Sequence, residues 1–158
     1  MPKASVTDLQ AEGFNAKNFT LTPGAAWDAY LQGVLDEAGA WSAYKVGADL
    51  YASAASPDYP FFALRRAELC FASMLLWRRR VGFLDGNATT DHGEGAPVDR
   101  REMLAHMQSA MDCANSNLLE AMQALGVDPS ANGAGLGTCV GFIETGRFPL
   151  SSTGALNA

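Results

Sequence analysis

The apolar positions of this chain fall into three helical series, each closed off by a polar or Gly/Pro-rich break. The first series is Trp27, Leu31, Val34, Ala38, Trp41, Ala48 and Ala52. Its steps are mostly three or four residues, which is the period of an amphipathic helix. Thr22 is a good N-cap for that helix and Pro23 suits its first position. Gly33, Gly39 and Gly47 interrupt it, each costing up to about 1 kcal/mol relative to Ala. They mark kinks or close contacts, so the series is either one helix to about Ser53 or two shorter ones. Ahead of it, residues 1–21 read as an irregular arm with a single helical turn. Ser5-Val6-Thr7-Asp8 has the spacing of a capping box, and Gly13 can stop the turn. Phe14 and Phe19 are expected to dock this arm onto the body.

Ser56-Pro57-Asp58-Tyr59-Pro60 is both a breaker and a restart signal. The helix it predicts runs from about Tyr59 to Leu84. It carries Phe62, Leu64, Leu69, Cys70, Phe71, Met74, Leu75, Leu76, Trp77, Val81, Phe83 and Leu84. These surround much of its circumference, so the helix is central or is covered by a partner on several sides. Residues 85–97 read as a polar loop. Asp99 and Glu102 then form a second capping box, with Val98 and Met103 placed as its hydrophobic staple. The apolar face of this last helix reads Leu104, Met107, Met111, Ala114, Leu118, Ala121 and Leu125. Gly126 is its C-cap, with Pro129 beyond. Residues 127–158 are rich in Gly, Ser, Ala, Thr and Asn, yet hold Val140-Gly141-Phe142-Ile143 and Arg147-Phe148-Pro149-Leu150. A mere linker has no need of those side chains, so this tail reads as an extended arm that packs against the body or against another chain. The expected fold is therefore mainly α. It is a small helical bundle over residues 1–126, with a long central helix and an extended C-terminal arm over 127–158.

Composition narrows the function classes. The chain has 158 residues, the size of one domain. It is 48% hydrophobic, enough for a core, and its net charge of −6 is opposite to that of an electrostatic nucleic-acid binder. No apolar run is long enough to span a bilayer, and the opening MPKASVTDLQ has no apolar stretch of a secretion signal. Cys70, Cys113 and Cys139 include no Cys-x-x-Cys pair. Cys70 and Cys113 read as small buried hydrophobes, which points to a reducing compartment.

No motif of catalysis survives inspection. His92 lies in Asp91-His92-Gly93-Glu94, where the glycines leave no rigid ligand set, and His106 has Ala110, not a second His, at i+4. Gly133-Ala134-Gly135-Leu136-Gly137-Thr138 has no Lys after its last glycine and no preceding strand, so it reads as linker. Asp36 and Glu37 are helical neighbours that point apart and make no acid/base dyad. Met103, Met107, Met111 and Met122 form a methionine-rich face whose default role is packing, with an adaptable partner face as the other option. No enzyme activity, cofactor or metal is expected.

The remaining feature is charge. Residues 58–85 hold Arg65, Arg66, Arg78, Arg79 and Arg80 against Asp58, Glu68 and Asp85, a balance of +2 that leaves −8 for the rest. Arg65 and Arg79 share one face of the helix, and so do Arg66 and Arg80, giving a basic stripe about 20 Å long. Such asymmetry suits docking of a basic face on an acidic one, as in a head-to-tail ring, or else pairing within the chain, for example Arg65 with Glu68.

The stretch Leu64-Arg65-Arg66-Ala67-Glu68-Leu69-Cys70-Phe71-Ala72-Ser73-Met74-Leu75-Leu76-Trp77-Arg78-Arg79-Arg80-Val81-Gly82-Phe83-Leu84-Asp85 resembles the long helix of small head–tail connector (adaptor) proteins of tailed bacteriophages. Those proteins carry an Arg-Ala-Glu element followed by a Leu-Trp-Arg-Arg-Arg-like element in one helix. The Val-Thr-Asp-Leu opening, the helix with Trp27 and Tyr30-Leu31, and the Pro57–Pro60 break are similar too, so the resemblance covers roughly residues 5–87. It implies a helical virion protein, made in the host bacterial cytoplasm and placed at the head–tail interface. There it forms a homo-oligomeric ring, commonly of twelve copies, between portal protein and tail or stopper protein, with no membrane partner. DNA passes through the ring without sequence-specific binding. On this reading Arg65, Arg66, Arg79 and Arg80 are the expected subunit or portal contacts, and Phe142, Ile143, Arg147 and Phe148 the contacts of the arm. The alternative is a cytosolic helical regulator or nucleic-acid-binding module that uses the arginine stripe.

Overall fold

The computed structural model describes residues 1–87 and 100–129, apart from the side chains of residues 83–87 and 100. The elements are α1 (Val6–Ala11), a 3-10 turn (Ala16–Phe19), α2 (Ala25–Val46), α3 (Ala48–Ser53), α4 (Tyr59–Asn87) and α5 (Arg100–Ala124). No strand is present among the described residues. The mainly helical bundle with a long central helix expected from the periodicity is what the chain builds. The arm over 130–158, and the capping residues Val98 and Asp99, lie outside the described residues.

Local chemistry explains most boundaries. Ser5 caps α1 and Asp8 at N3 returns to the Ser5 backbone, completing the capping box. Gly13 follows with φ +89. α2 begins two residues later than Thr22 and Pro23 suggested, because Gly24 at φ +110 keeps the chain out of the helix until Ala25. The choice between one helix and two is decided at Gly47, whose φ of +100 separates α2 from α3. Gly39 is needed for a different reason. A Cβ there would sit 3.1 Å from Pro2 Cα, so the bare glycine lets the N-terminal segment cross α2 closely. α5 ends in a Schellman motif: Val127 N–H donates to Met122 O and Gly126 N–H to Gln123 O, with Gly126 at φ +71.

The packing places α4 in the middle. Pairs along its length show that it runs antiparallel to α5: Tyr59 meets Glu120, Cys70 meets Cys113 and Trp77 meets His106. It also runs antiparallel to α2, through Trp41 stacked on Phe71 at 4.2 Å and Glu37 paired with Arg79. One apolar cluster joins α1, α2, α4 and α5 around Leu9, Leu31, Leu35, Leu69, Leu76 and Met111. A second joins α3, α4 and α5 around Tyr51, Leu64, Ala67, Leu118 and Met122. Phe14 meets Trp77 edge-on and Phe19 stacks on Trp27, so both aromatics of the arm dock as expected.

The face of α5 needs one correction. Leu104 is 37% exposed, whereas Met103 is buried with Met111, Ala114, Leu118, Ala121 and Met122. Residues 103 and 104 both continue the series from Met107 at helical spacing, and the structure buries Met103. Three of the four methionines are buried and Met107 is partly buried against the first cluster, so this face is core. Leu118→Ala is therefore expected to cost about 2–5 kcal/mol. Leu104→Ala is expected to change stability by less than about 0.5 kcal/mol. Urea unfolding of the two variants checks the pair.

Candidate functional site

α4 positions every candidate residue that is described, and Arg65, Arg66, Arg79 and Arg80 are each engaged within the chain. Arg65 grips Asp8 with two hydrogen bonds, Nε to Oδ2 at 3.1 Å and a terminal nitrogen to Oδ1 at 2.5 Å. The same carboxylate accepts from the Ser5 backbone N–H and hydroxyl, so capping of α1 and attachment of α1 to α4 share one side chain. The Arg65 hydrogen bond, helped by those of Ser5, holds the Asp8 carboxyl at about 2 against an opposing effect of burial. Arg66 lies 3.4 Å from Glu12. Arg79 pairs with Glu37 at 2.9 Å and lies over the Tyr30 ring. Arg80 covers the Trp77 ring. Arg78 is exposed and has no ion-pair partner among the described residues.

The stripe is thus partly folded into the chain's own electrostatics. Arg65 and Arg66 reach back to the N-terminal arm, and Arg79 reaches to α2. The in-chain partner of Arg65 is Asp8 and not Glu68, which faces the interior. Asp36 and Glu37 point apart, as expected: Asp36 accepts from Gln32 while Glu37 takes Arg79. Phe142, Ile143, Arg147 and Phe148 lie outside the described residues, as do His92, Cys139 and the 133–138 glycine segment. Among the described residues no group of three His, Cys, Asp or Glu side chains is placed to hold a metal ion. No helix there is long and apolar enough to cross a membrane.

Sequence reasoning missed two features. The first is Glu68, which is fully buried at the centre of α4. Its Oε2 accepts the backbone N–H groups of Lys3 (2.6 Å) and Ala4 (3.0 Å). Its Oε1 takes the Tyr51 hydroxyl at 2.5 Å, and that hydroxyl is 3.1 Å from Met1 O. Lys3 Nζ donates to Ala54 O at 2.6 Å and lies over the Tyr51 ring. One carboxylate therefore ties the N-terminal segment and α3 to α4. Burial pushes Glu68 above the ordinary glutamate range, against the pull of its three hydrogen bonds. The same burial, with the neighbouring carboxylate, pushes the Tyr51 hydroxyl up. The signal in the sequence was one acidic residue inside an apolar run, on the face that also carries Leu64, Ala72 and Leu75.

The second is a disulfide between Cys70 and Cys113. Cys70 and Cys113 are thus bonded to each other and are not the separate small hydrophobes expected from the sequence, so they give no indication of a reducing compartment. They are 43 residues apart, but α4 and α5 are antiparallel and bring their Cα atoms to 5.8 Å. Both cysteines line a groove of about 380 Å³ between the N-terminal arm, α4 and α5. Phe14, Trp77 and His106 wall one side, with Trp77 and His106 stacked at 4.8 Å, and Glu12 and Arg66 flank it.

Compared with protein-family models, curated proteins and solved structures, the chain matches none of them.

Glu68→Gln is expected to leave stability at neutral pH unchanged or raised. The amide can still accept from Lys3 and Ala4, and a buried charge is removed. Glu68→Ala is expected to cost about 3 kcal/mol or more, because it leaves the Lys3 and Ala4 N–H groups without their acceptor and takes from the Tyr51 hydroxyl its shorter hydrogen bond. The pH sign follows from the raised carboxyl. The folded chain binds that proton at higher pH than the unfolded one, so wild type gains on Glu68→Gln as pH falls toward 4.5. Asp8 acts oppositely, its contribution being full above 3.8 and lost as pH falls toward 2. Melting temperatures of wild type and both Glu68 variants across pH 4.5 to neutral check these signs.

Proposed function

We propose that this chain is a virion structural protein, a helical head–tail adaptor that forms a ring between portal and tail or stopper and extends the DNA channel. The observation that carries the reading is the Leu64–Asp85 pattern, together with the similar elements that precede it over residues 5–87. That stretch is the central helix of the bundle, and the elements most similar to the family's are those wrapped around it. A chain balance of −6 suits a channel through which DNA slides without sticking. Tyr44, Tyr59 and Phe62 stand exposed on the body, as side chains that neighbouring subunits can cover.

Within this reading the arginines divide the work. Arg65 serves the fold through Asp8, and Arg79 is partly committed to Glu37. Arg78 and Arg80, at the far end of α4, retain the most freedom to meet an acidic partner. The ion pairs also count against the nucleic-acid-binding alternative, because they neutralise much of the stripe on which it depends.

The direct test is to recover the tagged protein from its native producing cell and identify what accompanies it. Portal and tail proteins in stoichiometric amounts support the adaptor. The protein alone, or with nucleic acid, supports the regulator. A second test is the double variant Arg78→Glu, Arg80→Glu. It is expected to lower particle assembly by at least about tenfold while the circular dichroism of the isolated chain stays helical. Undiminished assembly removes both residues from the interface.

A further inference from the structure

We propose that the groove beside Cys70–Cys113 is a thiol–disulfide exchange site. A low-molecular-weight thiol of the glutathione type enters it and opens the link between α4 and α5. The inference is independent of the adaptor reading.

Three observations carry it. The disulfide is not sealed in the core: both cysteines line the 380 Å³ groove, which is open to solvent. The two cysteines are also unequal. Cys70 is buried at 8% exposure, whereas Cys113 is only partly buried. Finally, the groups around them suit thiolate chemistry. Arg66 is one turn before Cys70 on α4 and lines the same groove, its charge shared with Glu12 at 3.4 Å. Asn117 Nδ2 lies 3.5 Å from Cys113 Sγ. A nearby cation or hydrogen-bond donor favours the thiolate.

The incoming thiolate attacks Cys113 Sγ, a sulfur–sulfur bond forms there, and the bond to Cys70 breaks. Cys70 leaves as a thiolate beside Arg66 and takes a proton from water. A second thiolate attacks the outer sulfur of the mixed disulfide, and Cys113 leaves as a thiolate and is protonated. The protein gains two electrons and two protons, and two molecules of the thiol are oxidised to their disulfide. The crosslink joins positions 43 residues apart across the connection from α4 to α5, so opening it leaves apolar contact alone to hold α5 on α4.

The experiment uses the full chain carrying Cys139→Ser, air-oxidised, in native buffer. It is incubated with reduced glutathione, trapped with iodoacetamide and read by intact mass. Alkylation of both remaining cysteines without denaturant is expected. With oxidised glutathione, the Cys70→Ser, Cys139→Ser chain is expected to gain one glutathione at Cys113. The Cys113→Ser, Cys139→Ser chain is expected to react at least about tenfold more slowly, through the more buried residue, Cys70. The reduced protein is expected to melt about 10 °C below the oxidised one and to recover on re-oxidation. The proposal is overturned if the oxidised chain holds no Cys70–Cys113 bond, if it is reduced only in denaturant, or if Cys70 is the faster sulfur. Equal melting of the two redox forms removes the link between exchange and the hold of α5.

Discussion

A carboxylate removed from water must be fully hydrogen-bonded or it costs several kcal/mol. In this chain that constraint sits at Glu68, in the middle of the central helix. Its oxygens are satisfied by Lys3, Ala4 and Tyr51, so the N-terminal segment and α3 are not optional attachments. Much else follows from that placement. Pro2 crosses α2 where Gly39 offers no side chain, Leu9 enters the core, and Asp8 arrives within reach of Arg65. A segment of the chain with little helical propensity thereby becomes part of the core. The price of the buried charge is a helix whose middle depends on the first four residues of the chain.

The arginines of α4 show how one set of charges serves the fold before it can serve a partner. Arg65, Arg66 and Arg79 each fasten a different neighbour, and the acidic residues they use come from α1, the segment after it and α2. These pairs are largely exposed, so each contributes little stability by itself. Their effect is on orientation, since they set how the arm and α2 lie along α4. Arg78 stays exposed near the far end of α4, and Arg80 lies there over the Trp77 ring. In the proposed ring, that pattern allows a basic end of one subunit to face an acidic side of the next.

The α4–α5 pair is held in two ways that respond to different conditions. Apolar contact through Leu64, Leu118, Ala121 and Met122 resists heat until the whole cluster melts. The Cys70–Cys113 bond instead responds to the thiol content of the medium. A helix so fastened can be firmly seated in one redox environment and more loosely in another, with no change in its packing partners.

The sequence by itself determined the helices, because propensity, capping and periodicity are local. The capping box at Ser5 and Asp8, the break at Pro57, the Gly126 stop and the all-round apolarity of α4 are each readable from neighbouring residues. The long helix beginning at Tyr59 was legible for the same reason, and so was the docking of Phe14 and Phe19. What only the tertiary structure decided were relations between residues far apart in the chain. Whether Met103 or Leu104 is buried depends on how α5 is rotated in the bundle. Whether Arg65 meets Glu68 or Asp8 depends on where the N-terminal arm crosses. Cys70 and Cys113 bond because two antiparallel helices bring positions 43 residues apart to the same level, and no spacing rule along the chain contains that fact. Local forces choose the elements, whereas pairing between them is chosen by the one arrangement that buries the apolar faces and leaves Glu68 fully hydrogen-bonded.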